Sequence, residues 1–395
     1  MEPGPATAIG VLGSGAMGSG IAQVAAVAGH PVVLGDTEEQ ALTRALAAIR
    51  KALERDVAKQ RRTAADMEAI LGRISAGVVD GDYGIFGRCG LVIEAIVEEL
   101  GAKQQAFSKL EATTPSDSIL ASNTSSLSIT AIAAVCRRPE RVLGVHFFNP
   151  APILPLVEIV GGYATDPDVL ARTRGLVDRW GKTTVVASDT PGFIVNRVAR
   201  PFYGESLRLL EEGVADHLTI DWAMRTIGGF RMGPFELMDL IGNDINYAVS
   251  RSVFEALSYD PRYRPSLMQR RLVDARLLGR KTGRGWYDYR DGGAPAGAAA
   301  EDPVLGERIV NRVVAMLINE AAEAVFLRIA TPADIDLAMT RGVNYPRGLL
   351  EWADQIGVGV VFERLAALQE EYGDDRYRPS ALLRRMAREG RRFYQ

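Results

Sequence analysis

Short apolar runs alternate with stretches of helical periodicity through the first half of the chain, and the alternation stops near Asp189. Residues 7–12 (TAIGVL) are the first apolar run. An alanine-rich helical pattern follows to about Ala28, and PVVLGD forms a second run that ends at Asp36. Apolar positions across 38–74 recur at the i, i+3, i+4 spacing of two amphipathic helices. Further strand-like runs stand at 91–96 (LVIEAI), 118–122 (SILAS), 141–148 (RVLGVHFF) and 183–188 (TTVVAS), most of them separated by helical patterns. This order predicts an α/β, Rossmann-type doubly wound sheet over 1–188, with all-α structure beyond it.

The helical half repeats itself. Ile194-Val195-Asn196-Arg197-Val198 returns as Ile309-Val310-Asn311-Arg312-Val313, an offset of 115 (311 minus 196). At the same offset Glu205 matches Glu320, Asp221 matches Asp336, Gly233 matches Gly348, Glu236 matches Glu351 and Asp239 matches Asp354. After a one-residue shift, Arg262-Tyr263-Arg264-Pro265-Ser266 recurs from Arg376. One register held over this length indicates an internal duplication. The expected organisation is a nucleotide-binding domain at 1–188, a first helical copy at 189–290, a Gly/Ala/Pro linker at 291–300 and a second copy at 301–395.

Composition adds exclusions. A formal net charge of −3 gives no reason to expect a nucleic-acid or acidic-membrane partner. No apolar stretch reaches the roughly 20 residues a membrane-spanning helix needs, and the opening residues lack the basic and apolar regions of a signal peptide. The two cysteines, Cys89 and Cys136, cannot build a disulfide framework. A cytoplasmic protein is expected.

The first candidate chemistry is Gly13-Ser14-Gly15-Ala16-Met17-Gly18, placed between a strand and a helix. Gly13 suits the tight turn, Gly15 the approach of a pyrophosphate and Gly18 close packing of helix on strand, while Ala16 and Met17 open the helix whose N-terminus faces the phosphates. Asp36, at the end of the next strand, would accept hydrogen bonds from adenosine ribose hydroxyls and repel a 2′-phosphate. NAD is therefore expected over NADP. Hydride transfer to that cofactor needs a base, and free imidazole titrates at about 6.5. Of the three histidines, His30 is assigned a surface role and His217 lies in a polar helical connection. His146 ends an apolar strand at the sheet edge where such folds place ligands.

The stretches SNTSSLSI (122–129), GVHFFNP (144–150), LVEIV (156–160) and DTPGFIVNR (189–197) resemble the 3-hydroxyacyl-CoA dehydrogenase family. The resemblance to its single-copy form covers about residues 7–290. It implies NAD-dependent oxidation of an L-3-hydroxyacyl-CoA, 3-hydroxybutyryl-CoA or similar, with His146 as general base and Glu158 as its partner. It further implies that Ser125 and Asn196 hold the reacting oxygen and cofactor in register. Glu98, Lys103, Asn123 and Asn149 fall on the cofactor side, and Lys59 falls where the family contacts coenzyme A. In single-copy members the helical domain is the dimer interface, so two copies in one chain could pair intramolecularly, leaving a monomer or an optional homodimer. A dehydrogenase of a free hydroxy acid such as gulonate, and a non-catalytic crystallin-like protein, remain alternatives at this point.

Overall fold

A computed structural model describes residues 7–290 and 298–394. The chain divides into two compact units between Phe193 and Ile194. Most of the expected linker, 291–297, lies outside the described residues, as do the opening six.

The first unit is built on eight strands: β1 (Ala8–Leu12), β2 (Val32–Asp36), β3 (Ile74–Val78), β4 (Cys89–Glu94), β5 (Ile119–Ser122), β6 (Val142–Phe147), β7 (Leu156–Gly161) and β8 (Thr183–Ser188). They lie in the order β3-β2-β1-β4-β5-β6-β7-β8. Every neighbouring pair is parallel except β6 with β7, which run antiparallel. The central strands are apolar almost throughout because helices cover both faces; Ile9, Val11, Leu34, Leu91, Ile93, Leu143 and Val145 are buried in one core cluster. Strand order reverses between β1 and β4, the place where doubly wound sheets open a crevice at their carboxyl ends.

Two expectations need correction. Helical periodicity extends to residue 74, yet the second of the two helices, Ala64–Leu71, stops earlier and β3 follows. This edge strand reads ISAGV and exposes much of its length, so it lacks the apolar run that marks the interior strands. His30 is buried, not superficial: its Nδ1 lies 3.0 Å from the Thr7 carbonyl, and its ring meets that of Trp180 edge-on.

The second unit is helical. Among the described residues, the first copy places helices at Arg200–Glu211, His217–Thr226, Pro234–Ile241, Asn243–Ala256 and Leu267–Asp274. The second answers with Pro303–Phe326, Pro332–Gly342, Leu349–Ile356, Val358–Tyr372 and Ala381–Glu389. The long helix Pro303–Phe326 corresponds to two in the first copy, Val195–Val198 and Arg200–Glu211, where Pro201 stands opposite Met316 and removes a backbone donor.

The copies join by exchanging equivalent contacts. Arg197 Nε donates to Glu320 at 2.7 Å, and its counterpart Arg312 Nε donates to Glu205 at 2.6 Å. Tyr263 donates to Glu320 while Tyr377 donates to Glu205. Residue i contacting j while the equivalent of j contacts the equivalent of i is the signature of a two-fold, isologous interface. A second matched device sits inside each copy. Asp221 accepts from the Phe235 and Glu236 N–H groups and from the Tyr287 hydroxyl. Asp336 accepts from Leu350, Glu351 and Tyr394 in the same manner. Among the described residues no helix is long and apolar enough to cross a membrane.

Candidate active site

Antiparallel pairing of β6 with β7 sets His146 directly opposite Glu158. Cross-strand partners project on the same face of a sheet, and here the two side chains meet: His146 Nδ1 lies 2.7 Å from Glu158 Oε2. Both are buried, Glu158 completely. The far nitrogen, Nε2, makes no hydrogen bond among the described residues. Phe148 and Phe193 flank the imidazole, with ring centroids 4.5 Å and 5.8 Å away. A carboxylate on Nδ1 fixes the tautomer with its proton on that nitrogen, so Nε2 is the acceptor and a positive ring would have a counter-charge.

The glycine turn has the shape a pyrophosphate requires. Gly13 has φ +100°, a backbone conformation that favours glycine, and a Cβ there would stand 2.6 Å from the Ala95 carbonyl oxygen. A Cβ on Gly18 would meet the Gly13 carbonyl oxygen at 1.8 Å. Around Gly15 nothing approaches within 4 Å, and the helix that follows, Ala16–Val27, has no side-chain cap. The first-turn N–H groups, among them those of Ala16 and Met17, are therefore available to an anion. Asp36 accepts from both the backbone N–H and the hydroxyl of Ser14 at 2.6 Å. Burial pushes its carboxyl up, but these hydrogen bonds, with those from Glu38 and Thr37, outweigh it and hold the group below its ordinary range. Gly13, Gly15, Ala16, Met17, Gly18 and Asp36 thus fit NAD on geometry and donor chemistry.

Between the glycine turn and His146 lies a polar network that the sequence does not announce. Glu94 ends β4 buried and accepts from Lys103 Nζ, Ser122 Oγ and the Ile96 N–H, each at 2.7 Å. Lys103 is 1% exposed and reaches Glu98 at 3.2 Å as well. Its ammonium is thus a strut between two carboxylates. Glu98 Oε1 gathers the Thr124 hydroxyl at 2.6 Å, the Ser125 N–H at 3.0 Å and both the N–H and hydroxyl of Ser126. Burial raises the Glu98 carboxyl; the hydrogen bond from Thr124 and the charge of Lys103 more than reverse this, leaving it lowered. Glu98 therefore shapes the loop that carries Ser125. Asn123 accepts from the Phe147 N–H at 2.8 Å, tying that loop to the strand bearing His146. Asn149 is exposed and precedes a cis proline peptide.

The remaining candidates divide. Asp189, at the head of the DTPGF stretch, caps the helix Ile129–Ala133 by accepting from Ser128, Ile129 and Thr130. Asn196 lies in the second unit on the short helix Val195–Val198, half-buried. Lys59 is exposed at the end of the helix Glu39–Ala58, and nearby Arg61 and Arg62 lie within 4 Å of Asp56. The sequence does not single out Glu94 and Ser122, which end β4 and β5, or Thr124 in the loop after β5, because a lone polar residue signals only that a partner exists, not which one.

The chain matches the models of the 3-hydroxyacyl-CoA dehydrogenase NAD-binding domain over residues 8–190 and of the C-terminal domain over 192–289 and 309–393. It is 40% identical to 3-hydroxyadipyl-CoA dehydrogenase of Escherichia coli, with 96% of this chain and 97% of that protein covered. A probable 3-hydroxybutyryl-CoA dehydrogenase of Bacillus subtilis is 41% identical over 71% of this chain and 96% of its own length. The crystal structure of 3-hydroxybutyryl-CoA dehydrogenase from Escherichia coli superposes with a TM-score of 0.92 at 38% identity, covering 98% of this chain and 99% of that one.

Proposed function

The chain belongs to the 3-hydroxyacyl-CoA dehydrogenase family, and we propose that it performs the family reaction through His146 and Glu158. It is an NAD-dependent oxidoreductase acting on acyl-CoA substrates; the named relatives favour neither a free hydroxy acid nor a non-catalytic role. The observation that carries the residue assignment is the buried pair at 2.7 Å with Nε2 unengaged. His146 Nε2 takes the C3 hydroxyl proton, and Glu158 steadies the imidazolium that results. NAD, when bound, accepts the hydride that leaves C3 as the C3–O bond becomes a carbonyl. Ser125 and Asn196 hold the oxygen while its charge changes. Glu98, Lys103 and Asn123 keep the Ser125 loop and the His146 strand in place, Asn149 belongs to the cofactor side, and exposed Lys59 meets the phosphates of coenzyme A.

The substrate is a short 3-hydroxyacyl-CoA, 3-hydroxybutyryl-CoA or similar, handled in the cytoplasm. The isologous joint between the copies takes the place of a subunit interface, so assembly beyond one chain is optional. The deciding assay follows NADH absorbance with acetoacetyl-CoA against free keto acids. Rapid oxidation with the thioester alone is expected; turnover of free acids alone would overturn the reading.

A further inference from the structure

The two-fold character of the joint lets its halves be compared residue by residue. On one half, Arg208, Glu211, Arg264, Ser266 and Arg271 of the first copy and Arg376 of the second line a cavity of about 350 Å³. Their counterparts on the other half are Glu323, Phe326, Arg378, Ser380 and Arg385 of the second copy and Arg262 of the first. There each arginine is answered. Arg262 lies 3.8 Å from both Glu320 and Glu323, Arg378 lies 3.9 Å from Asp260, and the Arg385 guanidinium stands 5.4 Å from the centre of the Phe326 ring. An unused Nε occurs on both halves, at Arg262 and at Arg376, so charge is what distinguishes them.

The half with the cavity carries Arg208 where the other carries Glu323, a reversal of sign at one position. Arg208 is 7% exposed, and among the described residues no carboxylate oxygen lies within 4 Å of its nitrogens. Its two hydrogen bonds, to the carbonyls of Pro261 and Arg264, are both stretched to 3.5 Å. Burial pulls the guanidinium below its ordinary range, and the charges of Glu205 and Glu211 offset this only in part. Glu211 itself accepts from the Ser266 hydroxyl at 2.5 Å. Glu212 meets Arg376 at 3.3 Å, which leaves Arg208 and the exposed Arg264 and Arg271 against the one carboxylate of Glu211. A buried guanidinium without a close counter-charge is costly, and concave walls of one sign concentrate anions. The excess of positive charge also selects among anions. A lone carboxylate would neutralise only part of it, whereas a diphosphate brings two or more charges and enough oxygens for several two-pronged guanidinium contacts.

We propose that this cavity binds a diphosphate group, gripped by Arg208, Arg264 and Arg271 of the first copy and by Arg376 of the second, so that the ligand ties the two copies together. Its residues all lie in the helical unit, and none of them is assigned to the chemistry. Filling the cavity stabilises the folded chain, because only the assembled joint brings the four guanidinium groups to one place. The second copy thereby gains a use that needs no active site of its own.

The test uses the full chain with NADH saturating the glycine turn, so that a diphosphate cannot bind there, and titrates inorganic pyrophosphate and ADP by calorimetry. One such site per chain is expected, with a rise in melting temperature. Arg208→Glu gives both halves of the joint the same charge, and Glu323 beside Arg262 shows a carboxylate accommodated at the equivalent place. This variant should weaken binding by about 100-fold, the worth of a hydrogen-bonded charge, with kcat unchanged. If it fails to fold, Arg271→Ala, at an exposed position, reads the same titration and should weaken binding several-fold. Tighter binding of pyrophosphate marks the free anion as the ligand and tighter binding of ADP marks a nucleotide; either result supports the proposal. No binding of either, or binding that both substitutions leave unchanged, overturns it and leaves the dehydrogenase reading intact.

Discussion

At the scale of single residues, the chemistry concentrates on one imidazole. His30 and His217 are both taken up by structure: His30 bonds to Thr7, and the half-buried His217 sits against Phe235 and Tyr287. His146→Gln is therefore expected to lower turnover by about 10²–10⁴-fold, the usual worth of a positioned base, with NADH binding unchanged by fluorescence titration. Near-normal turnover would remove His146 from the mechanism. Asp36 gives a pH prediction. Its carboxyl is held below the ordinary value, so the charged form is present throughout the range above that value and is lost only as pH falls through the lowered one. NADH affinity should then stay flat from pH 8 down to 5. A steep weakening between pH 6 and 5 would show that the ribose contact depends on another group.

At the scale of elements, the strand–turn–helix at 8–27 makes two glycines separable by experiment. Gly15 has φ −61° and open space around its missing Cβ, so Gly15→Val should fold with an unchanged melting temperature and lose NADH binding. A Cβ at Gly18 has no room against the Gly13 carbonyl, so Gly18→Ala should lower the melting temperature first. The reverse order of effects, read by calorimetry and NADH titration, would mean that the cofactor does not cross the turn. The turn and Asp36 were legible because each answers to a local rule of strand, glycine and acid. How Lys103, Ser122 and Thr124 gather around Glu94 and Glu98 was not, because these residues come from β4, the loop and helix after it, β5 and the loop that follows.

On the scale of the whole molecule, the duplication has an energetic consequence. Glu320 faces Arg197, Arg262 and Tyr263 across the joint between copies. Glu320→Ala strands buried positive charge and should cost about 3–5 kcal/mol, seen as a fall in denaturation midpoint. Loss of Glu205, its counterpart opposite Arg312, should cost a similar amount. Negligible change in both would mean that the joint holds by apolar packing alone.

Periodicity, the glycine turn and the offset of 115 between Asn196 and Asn311 by themselves determined the fold class, the cofactor and the duplication, since each is a pattern of neighbours along the chain. The edge strand β3, the burial of His30 and the gathering of Thr124, Ser125 and Ser126 around Glu98 were decided only by the tertiary structure. The physical reason is common to them. Whether a polar or weakly apolar residue is exposed, paired or left without a counter-charge depends on groups far away in sequence, and no local spacing records which of these it meets.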